Sequence, residues 1–212
     1  CGGNTLVCIH DQNVYLNILS TLILSGVLSG SRVLLMDFFE PGSAFTCKFQ
    51  PYEQYLLKNC GGRFEVFHGQ TIYEKIADLK NKLENVTAQN IPVPYPYVVV
   101  TAGFSKASRI NQQAPDGDNF LALLEDGPGT GAHFVLGAES LTTVKNKLGY
   151  RWKDYFLPTL AGRASEDDLS ELVPCRGRHI LENPEQVFLY DAATGHAQKI
   201  RPLRLSSFPI SQ

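Results

Sequence analysis

Apolar and polar positions alternate along the chain in blocks, and the blocks predict elements. Leu6 to Ile9 is an apolar run that stops at His10 and reads as a strand over about Thr5–Ile9. Helical spacing follows from roughly Asn13 to Leu28, with Val14, Ile18, Leu22 and Ile23 on one face. Leu16, Leu19, Leu24 and Val27 widen that face, so the helix is expected to be buried over much of its circumference, and Gly30 is expected at its C-cap. "RVLLMDFF" is a continuous run carrying Asp37, the pattern of a parallel strand covered on both faces. "EPGSAFTCKFQPYEQYLLKNCGG" is mixed and suggests a loop with a short helix around Pro51–Lys58.

The second part repeats the theme. "RFEVFHG" reads as a strand. Ile72, Ile76, Leu79, Leu83 and Val86 then recur at steps of four and three, the clearest helical pattern in the chain. Thr71 and Glu74 have capping-box spacing, and Asp78 and Lys82 stand at i,i+4. The proline-rich "IPVPYP" leads into the strand "YVVVTAG". A long polar loop, "SKASRINQQAPDGDN", precedes a short helix "FLALLEDG" and the strand "AHFVLGAE". Ser140 is placed to cap "LTTVKNKLG", and Ser165 to cap "EDDLSELV". Pro158 predicts an edge position for "YFLPTLAG". The last β runs flank "AATG" as a hairpin. Strands alternating with helices give an α/β layer fold with a mainly parallel sheet and a small antiparallel element at the end.

Composition narrows this frame. The 212 residues suffice for one large domain, expected over 1–212, and 43% are hydrophobic, as in ordinary globular proteins. The formal net charge of −2 lends no support to a nucleic-acid surface. The short basic clusters "CRGRH" and "RPLRL" read as solvated surface. Five cysteines, an odd number without CxxC spacing, fit a reduced, cytoplasmic setting, with Cys8 as a small buried hydrophobe. No apolar run reaches membrane-span length. The only methionine is Met36 and the chain starts "CGG", so a piece of a longer multi-domain protein is expected.

In open α/β sheets, ligands bind beyond the carboxyl ends of the strands. The residues predicted there are His10, Asp11, Gln12 and Asn13 after the first strand, then Asp37, Thr101 and Glu139. A phosphate loop needs glycines, a lysine and a Ser/Thr at fixed offsets, and "HDQNVYLN" has none of them. Asp11 repels a phosphate. The strand that would end in a magnesium-binding acid ends in Thr101. Asp37 and Glu139 fit either acid–base work or a partner role for nearby backbone N–H groups, and the second reading is favoured. His133 reads as a satisfied core histidine. No Cys/His/Asp cluster around His10 has zinc-ligand spacing, so no metal site is expected. Neither G-x-S-x-G nor a dinucleotide G-x-G-x-x-G is present, and "DGPGTG" precedes a strand, as a tight turn does.

Three segments carry a resemblance. "GPGTGAHFVLGAES" is similar to the strand segment "GIHLILATQ" of the FtsK/SpoIIIE–HerA family of P-loop motor ATPases, with Gly131 to Leu136 in register. "LPTLAGRASEDDLSELV" is similar to that family's next strand and capped helix, and "VFLYDAATGHAQKIRPLRL" to its closing hairpin. The chain most resembles degenerate, C-terminal FtsK-like domains of large bacterial proteins. The resemblance implies a three-layer, RecA-like P-loop NTPase fold. It carries no ATP-binding or catalytic residue over to this chain, because both Walker motifs are missing at the matching positions. It implies a non-hydrolysing domain of a DNA or protein translocase with a structural, regulatory or substrate-binding role. The alternative is a module that binds peptide, nucleic acid or nucleotide in the vacated pocket. No cofactor is expected here, while ATP and magnesium belong to an intact sister domain. Expected partners are other domains of the same chain or a ring of like subunits, with DNA reached through the parent protein. Arg151, Arg163 and Arg176 are weak candidates for fingers into a neighbouring site.

Overall fold

The structure, a computed structural model, describes residues 3–89, 96–111, 113–175 and 181–203. Cys1, the proline-rich lead-in up to residue 95, Arg176 with most of "CRGRH", and the end of "RPLRL" lie outside them.

The first half of the chain builds β1 (Asn4–Cys8), α1 (Gln12–Leu28), β2 (Arg32–Asp37), α2 (Ala44–Asn59), β3 (Phe64–His68) and α3 (Gln70–Gln89). The second half adds β4 (Tyr97–Ala102), α4 (Pro115–Asp126), β5 (Ala132–Ala138), α5 (Leu141–Leu148), β6 (Phe156–Ala161) and α6 (Glu166–Leu172). The hairpin β7 (Val187–Asp191) and β8 (His196–Ile200) closes the chain. All eight strands form one sheet in the order β3-β2-β4-β5-β1-β6-β7-β8. The strands from β3 to β6 are mutually parallel; β7 and β8 are antiparallel to their neighbours.

Strand alternation divides the core. Val7, Val33, Leu35 and Val100 face α1 and α2, in one cluster with Ile18, Ile23 and Phe49. Leu6, Leu34, Met36 and Val99 face the other way, in one cluster with residues of α3, α4, α5 and α6. The result is the three-layer α/β architecture expected from the sequence. α1 lies so close to the sheet that a side-chain carbon on Gly26 would stand 2.9 Å from Val33.

Several local expectations are corrected. α2 begins at Ala44, not near Pro51. Ser43 caps it, its hydroxyl accepting the Thr46 N–H, and Phe45, Phe49 and Leu56 fill its buried face. Pro51 sits inside the helix, where burial of that face outweighs the lost N–H. α4 likewise starts within the supposed polar loop, with Pro115 in its first turn and Asp116 and Asp118 at its positive end. β6 is not an edge strand: its register with β1 shifts between Asn4 and Leu6, and Pro158 falls in that bulge. The Thr71 hydroxyl donates to the His68 carbonyl and accepts the His68 N–H, so it turns back to the strand and forms no capping box. Asp78 pairs with Lys75 at 3.5 Å, while Lys82 lies over the Tyr97 ring. The Gly30 expectation holds: α1 ends at a Ser29 cap, and Gly30 closes it at φ 88°, its N–H donating to the Val27 carbonyl and that of Ser31 to the Gly26 carbonyl.

Candidate functional site: the carboxyl end of the first strand

β1 is central, between β5 and β6, so the corner after it opens at the middle of the sheet's carboxyl edge. Asp11 is the N-cap of α1. Its Oδ1 accepts the N–H groups of Asn13 (2.9 Å) and Val14 (3.0 Å), and its carbonyl accepts that of Tyr15 (2.9 Å). These are the donors that a phosphate at a helix N-terminus would take. A carboxylate belonging to the chain already engages two of them, at the positive end of the longest central helix.

The other three corner residues diverge. His10, Gln12 and Asn13 are exposed. The Asn13 Oδ1 accepts from Lys48 Nζ of α2 at 2.6 Å. Asp11 and Asn13 border a shallow depression of about 190 Å³ shared with Asn17, Pro184 and Pro202. His10 and Gln12 instead meet Glu139 around a second cavity of only about 20 Å³, also lined by Tyr15, Phe39, Phe45 and Lys48. That volume holds about one water molecule. Three aromatic rings line it: Phe39 and Phe45 stack with centroids 4.7 Å apart, and Tyr15 lies tilted against Phe45 at 6.0 Å.

Tyr15 ties the corner to the neighbouring strands. Its phenol oxygen accepts the Gly103 N–H at 3.2 Å, just past the end of β4. A side-chain carbon on Gly137 of β5 would stand 2.4 Å from that oxygen, so glycine is required there. Burial, with the Glu139 charge adding, pushes the phenol well above its ordinary pKa and keeps it neutral. Thr101 is fully buried and its hydroxyl accepts the Gly137 N–H at 3.2 Å. It fastens β4 to β5 and points no acid at a ligand.

Asp37 stands apart from this cavity, beyond β5 and β4 in the sheet. Its Oδ1 accepts the Phe39 N–H at 2.9 Å; its Oδ2 lies 3.4 Å from the Thr46 hydroxyl and 3.7 Å from His68 Nδ1. Burial pushes its carboxyl above the ordinary range, and the Phe39 N–H works against that shift. Glu139 differs: its Oε2 is buried with no hydrogen-bond partner. So is Nδ1 of the half-buried His133, which corrects its reading as a satisfied histidine. Cys8 is buried as expected, its thiol pushed up to about 12 by burial, with Asp168 and Glu139 contributing.

Sequence reasoning missed Tyr15, Phe39, Phe45 and Lys48. Tyr15 is hidden in a helix that is apolar on most sides, Phe39 ends the apolar run read as a strand, and Phe45 and Lys48 come from a segment read as a loop. Among the described residues no group of three His, Cys, Asp or Glu side chains is placed to hold a metal. No helix among them is long and apolar enough to cross a membrane.

No protein-family model and no curated relative matches the sequence. Solved structures do. The ATPase 2 and 3 unit of EssC from Geobacillus thermodenitrificans is 12% identical with a TM-score of 0.65, covering 89% of this chain and 37% of that one. The same unit of Thermomonospora curvata EccC, solved with a signal sequence peptide, is 13% identical with a TM-score of 0.68, covering 97% and 37%. The genome packaging NTPase of Sulfolobus turreted icosahedral virus 2, solved with ATP-gammaS, is 9% identical with a TM-score of 0.61, covering 94% and 96%. The chain thus spans little more than a third of those EssC and EccC structures and nearly all of the viral one. The likeness is one of fold: the chain has the RecA-like architecture of FtsK/SpoIIIE-type ATPase domains.

Proposed function

We propose that this chain is an ATPase-like domain of a larger FtsK/HerA-type translocase that neither binds nor hydrolyses nucleotide, and that it serves by packing against and holding partners. The carrying observation is the Asp11 carboxylate on two free N–H groups in the first turn of α1, those of Asn13 and Val14, where a triphosphate would lie. Three facts support it. The adjoining cavity has room for about one water. The corner has neither glycine nor a P-loop lysine, and Thr101 is spent on an inter-strand bond. Asp37 and Glu139 belong to separate clusters, so they form no acid–base pair. ATP and magnesium do not fit these residues.

The partners that suit this reading are neighbouring domains of the same chain or like subunits in a ring, as the multi-ATPase architecture of EssC and EccC suggests. DNA suits it less. Asp11, Asp37 and Glu139 all lie at the sheet's carboxyl edge, and the net charge is −2. Thermal unfolding tests the reading. A nucleotide present at about 100 times its Kd adds about 2.7 kcal/mol of stability, a shift of several degrees. Millimolar ATP or ADP with magnesium is expected to leave the Tm unchanged and to release no phosphate; a rise in Tm overturns the proposal.

A further inference from the structure

The small cavity beside the corner has a chemistry of its own. Its acidic lining residue is Glu139, whose Oε2 is buried and receives no hydrogen bond. A buried carboxylate oxygen in that condition calls for a donor, preferably a charged one. Three rings, Tyr15, Phe39 and Phe45, are among its lining residues, and aromatic walls are compatible with a cation. Its volume of about 20 Å³ matches one water-sized group.

The surrounding charge also favours a cation. The Glu139 charge reaches Tyr15, and Asp11 lies on the same corner. The cationic lining residue is Lys48, whose ammonium is turned to Asn13 Oδ1 at 2.6 Å. A phosphate is too large and of the wrong sign. A guanidinium is planar and wider than the space. A primary ammonium is water-sized and brings three donors.

We propose that this cavity receives the ammonium head of a lysine from a partner protein, with Glu139 as its counter-ion and the three rings as its walls. The inference rests on the reading of the nucleotide corner as closed, and it names the chemistry by which the domain holds a partner.

Amide correlation spectra of the full chain test it, with n-butylammonium as the probe at millimolar concentration. The probe is expected to shift the amides of Ile9, Gln12 and Glu139, while the neutral isostere n-butanol does not. n-Butylguanidinium is expected to bind more weakly than the amine. Glu139→Gln keeps the shape and is expected to weaken amine binding by at least about tenfold, since it removes one partner of a buried charge pair. Equal shifts from amine and alcohol, or none from the amine, overturn the inference without any variant. Unchanged amine affinity in Glu139→Gln also overturns it. A parallel titration with magnesium-ATP separates the two claims. Silence towards both ligands sinks only the lysine site, whereas shifts with ATP sink the closed-corner reading beneath it.

Discussion

The corners after β1 and β5 are neighbours with the same local grammar, yet their chemistry differs. Ile9 donates its N–H to the Ala138 carbonyl at 3.1 Å, so the two strands end side by side. Each is followed by a helix capped by one side chain: Asp11 on α1 and Ser140 on α5, the latter accepting the Thr143 N–H at 3.3 Å. Ser140 is neutral. Asp11 brings an anion to the helix start. A carboxylate cap occupies N–H groups that an anion would take and adds like charge there, whereas a hydroxyl cap adds none. The residue before the second cap, Glu139, supplies the opposite feature, a carboxylate whose Oε2 lacks a donor.

The largest expected effect separates bulk from charge. Phe45→Ala removes a ring stacked on Phe39 and on Phe49 (5.8 Å), and is expected to cost about 3 kcal/mol in urea unfolding. It widens the cavity, yet nucleotide is still expected not to bind, because Asp11 remains; binding by this variant would make the aromatic filling, not the cap, the decisive feature. Gly137→Ala drives a methyl against the Tyr15 oxygen and the Thr101 carbonyl, at 2.4 and 2.6 Å, and is expected to cost about 2 kcal/mol. A neutral result there would mean that Tyr15 does not lock the corner.

Next come the two caps themselves. Asp11→Ala and Ser140→Ala are each expected to lose about 1 kcal/mol, while Asp11→Asn, which keeps the acceptor, loses only a few tenths. A large loss in Asp11→Asn would show that the charge is itself a main stabiliser. The smallest effect concerns Asp37. Its carboxyl pKa is raised in the folded state, so its contribution to stability is fully present below the unfolded pKa and is lost as pH rises through the folded one. Asp37→Asn is therefore expected to be more stable than the parent at neutral pH, with the gap closing in acid. Unfolding curves from pH 3 to 8 would show the opposite trend if the Phe39 N–H and His68 outweighed burial.

Much of the fold was legible because parallel strands covered on both faces read as unbroken apolar runs, as in "RVLLMD" and "YVVVTA". α3 and the closing hairpin were clear for the same reason of periodicity. The start of α2 was not, since Pro51 argues locally against a helix that tertiary burial of Phe45 and Phe49 sustains. Pro158 misled in the same way, because a bulge inside the sheet tolerates what a regular central strand does not. In the site, the strand-end rule found His10, Gln12 and Glu139, which do share a cavity. It also gathered Asp37, which the sheet order sets at a distance, and Thr101, which faces inward. Lys48 and Phe45 reach the corner only through the packing of α2, and Phe39 through the turn after β2, and no spacing along the chain announces that.

Isothermal titration calorimetry of the full chain with magnesium-ATP decides whether the Asp11 carboxylate stands in the nucleotide's place. No heat of binding is expected for the parent chain. Micromolar, saturable binding to the chain with Asp11 intact would contradict it.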